Sequence, residues 1–129
     1  MILFSSIATN AQLFELKVDV TGFESDGKAY ILLYEEGQDF DIESEKCTKN
    51  AVIIKGNKCT YKFKDLRKGK YALIVFHDQN ENGILDTNFI GMPKEGVGMS
   101  NDHKGMPSFE KSQIILNENK EISISIKYL

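Results

Sequence analysis

The chain has 129 residues, 41% of them apolar, which is enough to bury one substantial core and too little for two. Its 19 acidic residues outweigh 16 basic ones for a net charge of -3, and this excludes the broad positive field that nucleic acid or an anionic membrane surface demands. Mild acidity otherwise serves solubility.

Residues 1–11 carry no charged side chain and end in small and polar residues. They read as the remnant of a secretory signal peptide, with Thr9 and Ala11 in the small-residue positions before a cut, although the basic leading region is missing. An ordinary apolar N-terminal arm is the alternative. The segment is too short to span a bilayer, so the mature chain carries no transmembrane segment in this reading. Residues 12–129 then form a single domain, and export places it in the periplasm or outside the cell.

Leu13 to Val20 alternates, with Phe14, Leu16, Val18 and Val20 on one side and charged residues on the other, the period of a strand with one wet face. Gly22 and Ser25-Asp26-Gly27 turn the chain into a second strand, Lys28 to Tyr34, which is expected to pair with the first or lie near it. Residues 35–50 are polar and hold at most a helical turn around Ile42 to Lys46. Ala51 to Ile54 reads as a short strand, and Gly56-Asn57 turns it into Lys58 to Lys64, where Cys59, Tyr61 and Phe63 share a face. Asp65 to Gly69 reads as a turn. Lys70 to Phe76 is apolar on both faces, the pattern of a central strand that needs cover on each side. Ile114 to Leu116 and the alternating Glu121 to Tyr128 supply the last strands. About seven short strands with almost no helical pattern indicate an all-β fold, an antiparallel β-sandwich of immunoglobulin-like or transthyretin-like type with a long Gly/Asn-rich loop.

That loop holds the most informative run of the chain, Asp78-Gln-Asn-Glu-Asn-Gly-Ile-Leu-Asp86. Oxygen side chains stand at its first, third, fifth and ninth positions with glycine at the sixth, most of a calcium-loop pattern. Asp78, Asn80 and Asn82 offer side-chain oxygens, Ile84 a backbone carbonyl and Asp86 a direct or water-mediated ligand. The twelfth position, where a helical calcium loop needs a bidentate Glu, is Phe89. Affinity is therefore expected in the weak extracellular range, about 10⁻⁴ to 10⁻³ M, unless Asn88, Glu95 or Asp102 folds back to complete the shell. An ion-free network of Asp and Asn turns explains the same residues. Both readings stand on sequence alone.

His77 beside Asp78 draws attention as the centre of a small metal-dependent hydrolase, with His103 as a distant second imidazole. On a strand, however, adjacent residues point to opposite faces, so adjacency makes no dyad. Ser100 and Ser108 lack a nucleophile elbow. Gly91, Gly96 and Gly98 lack the spacing of a phosphate loop and are read as shaping a surface loop. Phe89, Met99 and Phe109 are candidates for a shallow groove, or else for packing on the central strand. Cys47 and Cys59 suit neither a redox pair nor, alone, a zinc site. In an exported protein they are candidates for a disulfide, which the loop-entropy rule would value at about 3 kcal/mol. Two unpaired thiols are the other reading.

Asp65-Leu-Arg-Lys-Gly-Lys-Tyr-Ala, the run from Val75 through the candidate loop to Asn101, and Pro107-Ser-Phe-Glu110 together resemble the bacterial DUF2141 family of uncharacterised exported proteins. The resemblance extends more weakly from about Leu13 to the C terminus. It implies a small periplasmic or secreted β-sandwich and brings no catalytic or ligand assignment. The leading expectation is thus a non-enzymatic exported module that binds an unknown protein or small ligand and carries a weak calcium loop. A hydrolase centred on His77 and Asp78, and a purely structural envelope-associated module, are the alternatives.

Overall fold

A computed structural model describes residues 12–42, 44–79 and 95–128. Eight strands, β1 (Leu13–Thr21), β2 (Gly27–Glu35), β3 (Thr48–Ile54), β4 (Cys59–Arg67), β5 (Gly69–Asp78), β6 (Val97–Met99), β7 (Ile114–Leu116) and β8 (Lys120–Ser125), make two sheets. The three-stranded sheet has the order β4-β1-β8. The five-stranded sheet runs β3-β2-β5-β6, and β7 pairs with the opening residues of β5. One four-residue helix, α1 (Phe109–Ser112), follows, with the Ser108 hydroxyl accepting from the Lys111 N–H as its cap. No helix among the described residues is long and apolar enough to cross a membrane.

The sandwich follows from the alternation. Phe14, Leu16, Val18 and Val20 of β1 meet Ile31, Leu33, Leu73 and Val75 across the gap between the sheets in one apolar core. The other side of β2 and β5 is apolar too: Leu32, Tyr34, Ile74 and Phe76 form a second cluster on the outer face of the five-stranded sheet, capped by Met99, Phe40, Ile42 and Phe109. Every residue from Tyr71 to Asp78 is buried. A fully buried Leu, Ile or Phe contributes roughly 1.5–3 kcal/mol, so a strand sealed on both faces anchors everything beside it.

Four expectations are corrected. β1 and β2 are not partners, because the chain crosses from one sheet to the other between them. The fold is not wholly antiparallel: β8 lies parallel to β1, having crossed from the five-stranded sheet within residues 117–119, where Asn119 Oδ1 accepts the Glu15 N–H at 2.9 Å. Of the segment read as a turn at Asp65 to Gly69, Asp65 to Arg67 are the end of β4, kinked by a bulge near which Asp65 takes a φ of 59°, and Gly69 already opens β5. Beyond it the Tyr71 hydroxyl donates to the Arg67 carbonyl at 2.7 Å and fixes the corner into β5. The strand read from Ala51 begins earlier: the polar residues from Thr48 extend β3, an edge strand.

β6 is the strand that the sequence pattern hides. Gly96 and Gly98 turn toward β8 and its extension, and a Cβ at Gly98 would stand 2.7 Å from Ile124 Cγ2 and 3.0 Å from the Ser125 carbonyl oxygen. The backbones approach because nothing larger than hydrogen fits, which lets Val97 exchange two hydrogen bonds of 2.9–3.0 Å with Lys127. Gly98→Ala is therefore expected to cost about 1–3 kcal/mol by overpacking against backbone that cannot yield. Gly69→Ala meets only ordinary contact and is expected to change stability by less than about 1 kcal/mol. Urea denaturation of both variants checks the contrast.

Candidate functional site

The last residues of β5 divide two environments. His77 continues the inner face of Tyr71, Leu73 and Val75, and Asp78 continues the outer face of Ala72, Ile74 and Phe76. His77 is fully buried. Its Nδ1 lies 2.7 Å from the Tyr128 hydroxyl, and the Phe23 ring packs edge-on at 5.4 Å. Burial raises the Tyr128 pKa, so the phenol keeps its proton while its oxygen accepts the Glu24 N–H at 3.0 Å. The remaining His77 nitrogen, Nε2, is buried without a hydrogen-bond partner among the described residues. This is a core histidine packed against aromatic rings. The pleat turns His77 and Asp78 to opposite faces of the sheet, so the two side chains do not form a dyad.

His103 is elsewhere, its Nε2 held 2.9 Å from the Met106 carbonyl oxygen. No group of three His, Cys, Asp or Glu residues suited to a metal ion occurs among the described residues. Ser100 is structural: its buried hydroxyl accepts the Leu73 N–H at 3.0 Å and donates to the Ser112 carbonyl, bridging β5 to α1. Ser108 is the helix cap.

On the outer face the loop root has a definite geometry. β6 pairs with β5 in the register Ile74↔Met99, Val75↔Gly98 and Phe76↔Val97. Beyond β6 the His77 N–H donates to the Gly96 carbonyl at 2.9 Å, and the Gln79 N–H donates to the Glu95 side chain, at Oε2, at 2.7 Å. Both carboxylates are buried, Asp78 fully and Glu95 to 5% exposure. Glu95, one of the residues considered for completing the loop's shell, thus contacts Gln79. Asp102 Oδ1 accepts the Ser125 N–H at 2.9 Å. Asn80, Asn82, Ile84, Asp86, Asn88 and Phe89 lie outside the described residues, so Asp78 is the one proposed ligand whose place is described.

Beside this root an apolar cleft of about 540 Å³ opens on the outer face. Ile74, Val97 and Met99 line it from β5 and β6, Ile42 from the segment after β2, and His103 to Pro107 from the turn before α1. Met99 lines this cleft, whereas Phe109 packs against Phe40 at 6.0 Å within the apolar cover and is not among the cleft's lining residues. Sequence reading missed Ile42, Lys104, Met106 and Lys127. The readable sign was the small-large alternation Gly96-Val97-Gly98-Met99, a strand with one face pressed to a neighbour and one face apolar.

A profile of a protein family described as uncharacterised and conserved in bacteria, DUF2141, matches residues 18–125. The chain belongs to the DUF2141 family. Among curated proteins none matches. The chain is also similar to a solved pilus-presented adhesin, Spy0125 (Cpa), at 14% identity and a TM-score of 0.32, covering 90% of this chain and 27% of that one. A cysteine mutant of the same adhesin matches at 14% identity and a TM-score of 0.31, over 91% of this chain and 27% of that one. The chain therefore spans about a quarter of the adhesin's length. For this DUF2141 protein the two-sheet sandwich is established by its own strand pairing.

The cysteines resolve in favour of separate thiols. Cys59 of β4 is buried in the core between the sheets, and Cys47 packs with the cluster on the far side of the five-stranded sheet, its Sγ 3.4 Å from the Ser44 carbonyl oxygen. A disulfide between them is not formed, because a sheet stands between the two sulfurs. Burial pushes the Cys59 pKa up to about 11. An aromatic disulfide reagent at pH 8 is expected to modify Cys47 in the folded protein, with Cys59 at least about a hundredfold slower until the chain is unfolded. Finding no reactive thiol in denaturant would contradict the arrangement.

Proposed function

We propose that this is an exported, non-enzymatic binding module whose outer sheet face presents the binding surface, braced at the root of the loop after β5 by a weakly bound calcium ion. The observation that carries the reading is the hydrogen bond from the Gln79 N–H to Glu95 Oε2, which brings a second buried carboxylate to the start of the oxygen-rich run that Asp78 opens. A divalent cation at the loop root takes oxygen ligands of this kind. Glu95 then supplies what the twelfth loop position lacks. Asn80, Asn82, Ile84 and Asp86 are the further oxygen ligands in this reading. Calcium suits it better than magnesium, whose strict octahedral shell and tightly held water need a more rigid cage. Location in the periplasm or outside the cell follows from the apolar residues 1–11 and agrees with millimolar calcium as the working range.

Calcium binding to the folded state alone raises stability by mass action. With Kd of about 10⁻⁴ to 10⁻³ M, calcium at about 10 mM is expected to add roughly 1–3 kcal/mol, several degrees in Tm, and magnesium at the same concentration much less. Asp78→Ala and Glu95→Gln are expected to abolish the shift. Asp26→Ala is expected to keep it, since Asp26 is engaged by the Asn57 N–H, which it accepts at 3.0 Å. A Tm indifferent to calcium and chelator removes the ion from the account.

A further inference from the structure

We propose that the outer-face cleft binds a small amphipathic carboxylate, an apolar chain with one anionic end. This deepens the reading of that face as a binding surface and rests on it; Glu95, which borders the cleft, is shared with the proposed ion site, so binding is measured with and without calcium. The cleft's volume, about 540 Å³, lies within the roughly 300–1,000 Å³ of small-molecule sites. Its floor is dry: Ile74 and Met99 are cross-strand partners and both buried, and Val97, Ile42 and Pro107 continue the apolar lining.

The rim decides the head group. Four charged side chains border the cleft: Glu95, Asp102, Lys104 and Lys127. The two carboxylates are turned to backbone, Glu95 Oε2 receiving the Gln79 N–H at 2.7 Å and Asp102 Oδ1 the Ser125 N–H at 2.9 Å. The two lysines are exposed and enter no ion pair among the described residues. His103 has its Nε2 engaged with Met106. The cations are thus the groups available to a ligand, and they flank an apolar floor. An anion with an apolar tail satisfies both, whereas a cation would meet the lysines and a fully polar anion would leave the floor uncovered.

Met106 supplies the adaptable wall. It is 83% exposed, the most exposed large apolar side chain described, on a turn where Gly105 takes a φ of 97°. An unbranched thioether in that position can fold over an apolar chain of varying shape. Water covers it otherwise.

Decanoate below its micelle concentration is the probe, titrated into the full chain by heteronuclear NMR in chelator and again in calcium. Saturable shifts are expected at Ile74, Val97, Met99 and Met106. Decyltrimethylammonium, with the same tail and the opposite charge, is expected to bind at least tenfold more weakly. The double variant Lys104→Glu with Lys127→Glu, and separately Met106→Glu, are expected to weaken decanoate at least tenfold with unchanged melting curves. Met106→Leu is expected to retain it. Absence of saturable decanoate binding, or equal binding of the two head groups, overturns the proposal. So does binding that emerges only after Phe89→Ala and Ile90→Ala, which would assign the cleft to the chain's own residues. A missing calcium shift with decanoate bound refutes the ion alone, and a calcium shift without decanoate binding refutes the ligand alone.

Discussion

Burial of β5 on both faces is the constraint from which the rest of the molecule follows. Tyr71, Leu73 and Val75 must be covered on one side and Ala72, Ile74 and Phe76 on the other, and no single sheet can do both. The three-stranded sheet covers the inner face. The outer face is closed piecemeal, by the segment after β2, by α1 and by Met99 of β6. A patchwork cover made from separate stretches of chain leaves a gap more readily than a facing sheet does, and the cleft lies along that seam.

The same strand separates the two chemically conspicuous residues at its end. One step of the pleat sends His77 inward, beside Phe23 and Tyr128, and Asp78 outward. The imidazole packs in the core. The proposed binding surface lies on the outer face, and the close approach of Gly96 and Gly98 to β8 and its extension is what holds β6 in place there.

The long, regular strands were legible from the sequence because their information is local. Period-two alternation in Leu13 to Val20 and the doubly apolar run to Phe76 follow from burial of each residue, and burial shapes residue choice one position at a time. Pairing is not local. Nothing in Glu121 to Tyr128 states that its neighbour is β1 or that the two run parallel, and nothing around Asp65 distinguishes a bulged strand end from a turn. β6 escaped because three residues beside glycines give no alternation to count, and the opening residues of β3, Thr48 to Asn50, because an edge strand tolerates polar residues on both faces. The cleft is built from four separate segments, so no motif spells it. Glu95 was recognisable only as one of several carboxylates able to reach the loop, and topology chose it over Asp102.

The claim that bears most weight is that the chain returns at Glu95 to tie the root of the loop after β5, setting the geometry of the outer face. Amide hydrogen exchange at single-residue resolution tests it most directly. The Gln79 N–H is expected to exchange at rates comparable with the His77 and Val97 amides of the paired strands, and to lose that protection in Glu95→Ala, which removes the acceptor. Exchange of Gln79 at the rate of an exposed loop amide, with His77 and Val97 still protected, would contradict the account.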